Sequence, residues 1–196
     1  MSVLNWIAAV VFILQLPNPL FWLIVHPLVR YWRRHVRAGY ITALVAAWGP
    51  VTVLLVILRH QLFGHDRPAT GAIVAGFALI IVDLWLFSRV HRDLGVSRLI
   101  GKPELTAGGE LANAGIYAHL RHPRYTGMIA SVLGACLLAA TRWMWYAAGL
   151  WLLLVMAVIA MEEHELRARF GEGYIEYCQR VPRFVPYRTL LRVLTT

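Results

Sequence analysis

Residues 126–161 read TGMIASVLGACLLAATRWMWYAAGLWLLLVMAVIAM, and Arg142 is the only charged residue among them. A helix crosses a bilayer with roughly 20 apolar residues. The stretch therefore holds two spans, 126–141 and 144–161, joined at Thr141-Arg142-Trp143. So short a joint makes a tight antiparallel hairpin. A hairpin brings its two open ends to one membrane face, so the residues before 126 must meet the residues after 161.

Both flanks are polar. Before the hairpin comes Gly115-Ile116-Tyr117-Ala118-His119-Leu120-Arg121-His122-Pro123-Arg124-Tyr125-Thr126-Gly127. After it come Glu162-Glu163-His164-Glu165-Leu166, then Phe170-Gly171, Tyr174, Tyr177 and Val181-Pro182-Arg183-Phe184-Val185-Pro186. Two clusters of His, Arg, Tyr and Glu thus share one boundary, a place for chemistry between a polar cofactor and a greasy substrate.

Outward from the hairpin, three more apolar stretches, 3–25, 40–58 and 71–88, have helical length. Of the 196 residues 59% are hydrophobic and 15% charged, with mean hydropathy +0.60, which excludes an ordinary soluble domain. The expected fold is an all-α polytopic membrane protein of about five transmembrane helices. It forms a single domain over 1–196, with the first three spans in 1–92. Residues 93–196 hold a loop, the hairpin and C-terminal helices. The N-terminus lacks the basic region and small-residue cleavage site of a signal peptide.

The net charge is +9 and the pI near 10.3. With the N-terminus outside, 16 of the 19 Lys and Arg residues fall in cytoplasmic segments, leaving Arg59, Arg67 and Arg142 outside. That is the positive-inside pattern of a membrane protein, and it argues against nucleic acid as a partner. In a prokaryote the location would be the inner membrane, with the C-terminus in the cytoplasm. Cys136 and Cys178 have no metal-ligand spacing, and no H-E-x-x-H, P-loop or G-x-G-x-x-G is present.

Leu16-Pro17-Asn18-Pro19 interrupts the first span and predicts either a kink or two half-helices. Residues 93–125 read as a long, glycine-rich functional loop. Pro123 suits the first turn of a helix, which sets His122 and Tyr125 at the mouth of the fourth span. Arg, His and Tyr also populate ordinary headgroup belts, so residues alone leave both readings open. Helical spacing continues the fifth span past Glu163 to Phe170, where Gly171 ends it. A short helix then carries Tyr174 and Tyr177. Two adjacent boundary carboxylates are costly unless paired or hydrated. Glu162 and Glu163 therefore either hold a cation or pair with Arg121, Arg124 or Arg169. Asp83, inside the third span, is either functional or capped by Arg89 and Trp neighbours.

These residues, and about half the chain (93–187), resemble the isoprenylcysteine carboxyl methyltransferase family, integral membrane enzymes related to phospholipid N-methyltransferases. The shared pattern is G-x-Y-A-x-x-R-H-P-x-Y-x-G, then E-E-x-x-L-x-x-x-F-G-x-x-Y-x-x-Y, then R-V-P-x-x-x-P. The resemblance implies a cytoplasmic C-terminal region that binds S-adenosyl-L-methionine and releases S-adenosyl-L-homocysteine. By position it implies cofactor contacts from Tyr117, His122, Pro123, Arg124, Tyr125 and Glu162. It adds Gly109, Glu110, Leu111 and Ala112 as a segment that wraps the cofactor, and Lys102 as a further polar contact.

The implied reaction is O-methylation of a prenylated cysteine carboxylate, with N-methylation of a phospholipid or small amine as the alternative. The substrate would be lipid-like or prenylated and would arrive through membrane lipids. An amine acceptor would need a base, for which Glu163, His119 and His122 are candidates. One departure matters: the arginine that carboxylate-methylating relatives carry one turn before this glutamate is Val158 here. Arg183 is the candidate replacement. A non-catalytic membrane protein, or a small transporter, is the reading from another class.

Overall fold

The computed structural model describes residues 2–25, 36–64, 67–99 and 111–185. The described residues are helices and their connections. In chain order these are α1 (Val3–Gln15), α2 (Pro17–Val25), α3 (Val36–Ile57), the single turn α4 (Arg59–Leu62) and α5 (Thr70–Leu99). A 3₁₀ turn (Gly115–Ala118) precedes α6 (Pro123–Ala139), α7 (Arg142–Phe170) and α8 (Glu172–Arg180). Every apolar stretch read from the sequence lies on helix. Three helical segments, Val3–Val25, Thr70–Leu94 and Arg142–Phe170, are long and apolar enough to cross a membrane. Ile41–Ile57 is a shorter apolar helix, with Pro50 inside it.

The first stretch resolves into two helices meeting at Leu16. Prolines 17 and 19 have no N–H to donate back along the helix. The carbonyl that Pro19 would leave open is that of Gln15, and it receives the Trp151 indole N–H at 3.2 Å. Asn18 reinforces the joint by donating to the Leu14 carbonyl at 2.6 Å. The break is thus stitched to α7 instead of being left unsatisfied in an apolar setting.

The centre of the molecule is α6, packed between α1, α5 and α7. Phe12 of α1 joins Met128, Val132 and Ala135 of α6 and Met144, Trp151, Val155 and Val158 of α7 in one buried core. Against α5, α6 approaches backbone to backbone. A Cβ on Gly134 would lie 2.6 Å from the Gly76 carbonyl oxygen, and one on Gly76 would lie 3.0 Å from that of Gly134. Small residues give two helices this closeness in an apolar medium, where dispersion contacts hold them together. The outer faces keep large apolar side chains exposed, among them Val74, Ile81 and Leu84 of α5 and Leu150 and Leu153 of α7.

The hairpin turn is shorter than the expected Thr141-Arg142-Trp143 joint: Ala140 and Thr141 alone connect the helices, and Arg142 already opens α7. Ala140 takes the left-handed conformation (φ 53°) that ends α6. The Thr141 hydroxyl accepts from Met144 N at 3.3 Å to start α7 and donates to the Leu62 carbonyl at 2.8 Å. One expectation is corrected: α5 does not stop near residue 88 but continues to Leu99, so the loop read as 93–125 begins as helix. Arg and Ser side chains do not break a helix that already has four turns to extend, and Arg92 Nε donates back to the Ser88 carbonyl.

Candidate functional site

The open end of the α6–α7 hairpin is built around one carboxylate. Glu163 is fully buried. Its Oε1 receives Arg121 Nη1 at 2.8 Å and Arg183 Nε at 3.0 Å and lies 3.1 Å from His122 Nε2. Its Oε2 receives Arg183 Nη2 at 2.5 Å and Arg167 Nη2 at 3.3 Å. Burial alone would favour the neutral acid, but the His122 and Arg183 hydrogen bonds and the Arg121 charge hold Glu163 as the anion.

Local backbone pairing delivers these partners. The segment after α8 runs beside the segment before α6: Arg121 N donates to the Pro182 carbonyl at 2.9 Å and His122 N to that of Arg183 at 3.1 Å. Thr126 Oγ1 donates to the His122 carbonyl at 2.9 Å. Pro123 is the first residue of α6, where its missing N–H is no loss. The His122 ring lies between Tyr125 and Phe184, with centroids at 5.8 and 6.4 Å.

Around this hub stands a wall of tyrosines. Tyr174, Tyr177 and Val181 are buried against one another and against Leu111, Leu166 and Phe170. The Tyr177 hydroxyl donates to the Tyr117 carbonyl at 2.7 Å, fixing the 3₁₀ turn to α8. The other side of that turn is held by Asp93, whose Oδ2 accepts from Ile116 N at 2.6 Å. Gly115 (φ 59°) permits the contact, because a Cβ there would lie 2.3 Å from that oxygen.

Glu162 is the neighbour of Glu163 and its opposite. It is half-buried, and among the described residues no hydrogen bond or ion pair engages its carboxylate. Its charge acts on the Tyr117 phenol, whose pKa is raised first by burial and then by Glu162, so the carboxylate lies within electrostatic reach of that hydroxyl. The raised pKa keeps Tyr117 a neutral O–H donor, and a hydroxyl near a carboxylate suits an ammonium or hydroxyl group of a ligand.

A second polar cluster lies deeper. Arg124 Nη1 donates to Asp83 Oδ1 at 2.8 Å and its Nη2 to Gln15 Oε1 at 3.2 Å. Gln15 Nε2 closes the triangle on Asp83 Oδ2 at 2.7 Å. The Arg124 guanidinium also sits over the Phe87 ring, 5.2 Å from its centroid. Gly127 makes room, since a Cβ there would lie 2.5 Å from Asp83 Oδ1.

Several expectations change. Asp83 is paired by Arg124 and Gln15 from other helices, while Arg89 lies over Trp85. Arg124, read as a cofactor contact, spends two donors on this triangle. Arg183, read as the group that orients a substrate carboxylate, is engaged on Glu163. A carboxylate held by three guanidiniums is a weak proton acceptor, which bears against the base role read for Glu163. His119 is exposed at the end of the 3₁₀ turn. Tyr125 is buried and Ala112 half-buried. Lys102, Gly109 and Glu110 lie outside the described residues. Gln15 and Arg167 were missed, because Gln15 stands outside the motifs and Arg167 at an unspecified place within one; the proline break beside Gln15 and the i,i+4 spacing of Glu163 and Arg167 were the available signals.

Comparison with known proteins bears on this arrangement. The phospholipid methyltransferase family matches residues 72–173. The match starts within the third apolar stretch and covers the 3₁₀ turn, the hairpin and both glutamates. Protein-S-isoprenylcysteine O-methyltransferase B of Arabidopsis thaliana is 33% identical over 88 residues, 40% of this chain and 40% of the relative. Methanethiol S-methyltransferase 1 of Bradyrhizobium diazoefficiens is 33% identical over 73 residues, 37% of this chain and 25% of the relative. The chain therefore aligns with less than half the length of either relative. No solved structure matches.

Proposed function

The chain belongs to the phospholipid methyltransferase family, and we propose that it moves a methyl group from S-adenosyl-L-methionine to a lipid-like acceptor at the membrane–cytosol boundary. The single observation that carries this reading is Glu162: a half-buried carboxylate, within electrostatic reach of Tyr117, that the described residues leave without a partner. The residues fit the cofactor's chemistry, since its polar end carries an ammonium that an available carboxylate can hold. When bound, the sulfonium supplies an already activated methyl group.

The chain's own residues then have three tasks. Glu162 and Tyr117 hold and orient the polar end of the cofactor. The first turn of α6, with Pro123 and Tyr125, walls the site against the hairpin, and Leu111 and Ala112 lie on its other side. Glu163, with Arg121, His122, Arg167 and Arg183, ties three chain segments into one rigid frame. Methyl transfer depends mainly on alignment and exclusion of water, which a fixed frame at an apolar edge provides. On the proposed topology five spans cross the membrane, with the N-terminus outside and the catalytic end in the cytoplasm.

For the acceptor, a lipid-borne carboxylate is the nearest analogy. A specific observation favours a second reading, an amine or thiol. Val158, at the family's arginine position, is fully buried in the core. Arg121, Arg167 and Arg183 are bound to Glu163, and Arg124 to Asp83. Each of these four guanidiniums already has a carboxylate partner, which leaves its charge less available to an anionic acceptor.

The test is calorimetric titration of S-adenosylhomocysteine into the detergent-solubilised protein, with adenosine as control. One saturable site per chain is expected. Folded protein that binds nothing would contradict the proposal. Labelled methyl transfer into lipid extracts then separates the acceptors, because a methyl ester is released by mild base whereas a methylamine or thioether is not.

A further inference from the structure

At the other end of the molecule is a cavity of about 440 Å³ that methyl transfer does not use. It lies between the start of α1, the turn α4 and the start of α5. Leu4, Phe63 and Ile73 form apolar wall, while Arg59, His60 and Arg67 supply donors. Along α5, Ile73 and Asp93 are 20 residues apart, about 30 Å at the helical rise and so about one hydrocarbon thickness. Asp93 holds the 3₁₀ turn of the candidate site. The cavity neighbours the closed turn of the α6–α7 hairpin, to which α4 is tied by the Thr141–Leu62 hydrogen bond. It therefore lies at the membrane face opposite Glu162.

Three features identify an occupant. Arginine is disfavoured on the outer side of a membrane protein, and on the proposed topology only Arg59, Arg67 and Arg142 lie there. Two of these three converge on one cavity. Those two guanidiniums favour an anion as the cavity's occupant. The apolar wall adjoins side chains exposed on the membrane-facing surface, with Val3 75% and Val74 65% exposed. A ligand that matches both halves has an anionic head and an apolar tail. The cavity is braced from inside by Asn5, a buried side chain that lines it and donates to the Gly64 carbonyl at 2.9 Å.

We propose that this cavity binds the phosphate-bearing headgroup of an anionic membrane lipid, with Arg59 and Arg67 on the phosphate and the chain lying toward Leu4 and Ile73. The site is separate from the methyl-transfer site; its assignment rests on the membrane topology proposed above and not on the methyl-transfer chemistry. Arg59 is already oriented, since its Nη1 donates to the Val56 carbonyl at 3.0 Å and leaves its other donors for a ligand.

The experiment is native mass spectrometry of the detergent-solubilised full chain, titrated separately with short-chain phosphatidylglycerol, short-chain phosphatidylcholine and inorganic phosphate. Saturable binding of one phosphatidylglycerol per chain is expected. It should weaken about tenfold or more in the Arg59→Gln/Arg67→Gln variant, and little in Arg142→Gln, which removes a charge from the same face. Equal binding by wild type and double variant, or phosphatidylcholine binding as tightly as phosphatidylglycerol, would overturn the proposal. Phosphate binding as tightly as the lipid would assign the cavity to a free anion and overturn the lipid reading. If the double variant fails a melting control, Ile73→Trp replaces it: filling the apolar wall with both arginines retained should cause the same loss, and undiminished binding would sink the idea.

Discussion

Arg183 grips both oxygens of Glu163, Nε to Oε1 at 3.0 Å and Nη2 to Oε2 at 2.5 Å, from a segment that comes after α8. The contact joins the end of the chain's last described helix to the hairpin. Bidentate pairing of this kind fixes direction as well as distance.

Removing Glu163 would leave Arg121 and His122 in a buried site without their anion. Glu163→Ala is expected to destabilise the protein by about 3–5 kcal/mol. Thermal melting in detergent measures it. A melting curve unchanged from wild type would contradict the framing role.

Glu162→Gln should behave in the opposite way. The melting temperature should stay within error of wild type, while S-adenosylhomocysteine affinity drops about tenfold or more, as expected for loss of a charged hydrogen bond. Parallel loss of stability in both glutamate variants would show that the two carboxylates share one structural role.

Asp83→Ala leaves the largely buried Arg124 guanidinium without its anion, with only Gln15 as partner, and a cost of about 3–5 kcal/mol is expected. Adding Arg124→Met should restore part of it, because the uncompensated charge is then gone. A double-mutant cycle on melting free energies reads the coupling, and additive losses would mean that the triangle is not a unit.

Tyr177→Phe removes the hydrogen bond to the Tyr117 carbonyl and keeps the ring. Stability should fall by about 1 kcal/mol. Cofactor binding should weaken as well, since the 3₁₀ turn that presents Tyr117 loses its tie to α8. Wild-type affinity in this variant would separate that turn from the site.

Gly134→Val places branched carbons where the Gly76 carbonyl already stands 2.6 Å from an ideal Cβ. Helices α5 and α6 must then part, at an expected cost of about 1–3 kcal/mol. Normal melting would show that the pair separates freely.

Much of the architecture was legible in the sequence. Apolar length named the helices, Pro123 marked the start of α6, and Gly171 marked the end of α7, where it takes φ 53°. The short joint at Thr141 was enough to say that Glu162 returns to the same side as His122, and in the structure His122 Nε2 lies 3.1 Å from Oε1 of the adjacent Glu163. The partners of Asp83 were not legible. Gln15, Asp83 and Arg124 lie on three helices far apart in sequence, and no local pattern encodes which helix faces which.

The same limit applies at the two glutamates. The sequence determined that a pair of carboxylates would stand where the fifth apolar stretch meets water, because chain length and hydropathy are local properties that add along a helix. Only the tertiary structure decided between them. Adjacent residues on a helix point about 100° apart, so Glu163 turned inward, onto guanidiniums brought by the segments before α6 and after α8, while Glu162 stayed half-buried and engages none of them. Which face meets those segments is set by packing among α1, α5, α6 and α7, and that packing is a property of the whole molecule.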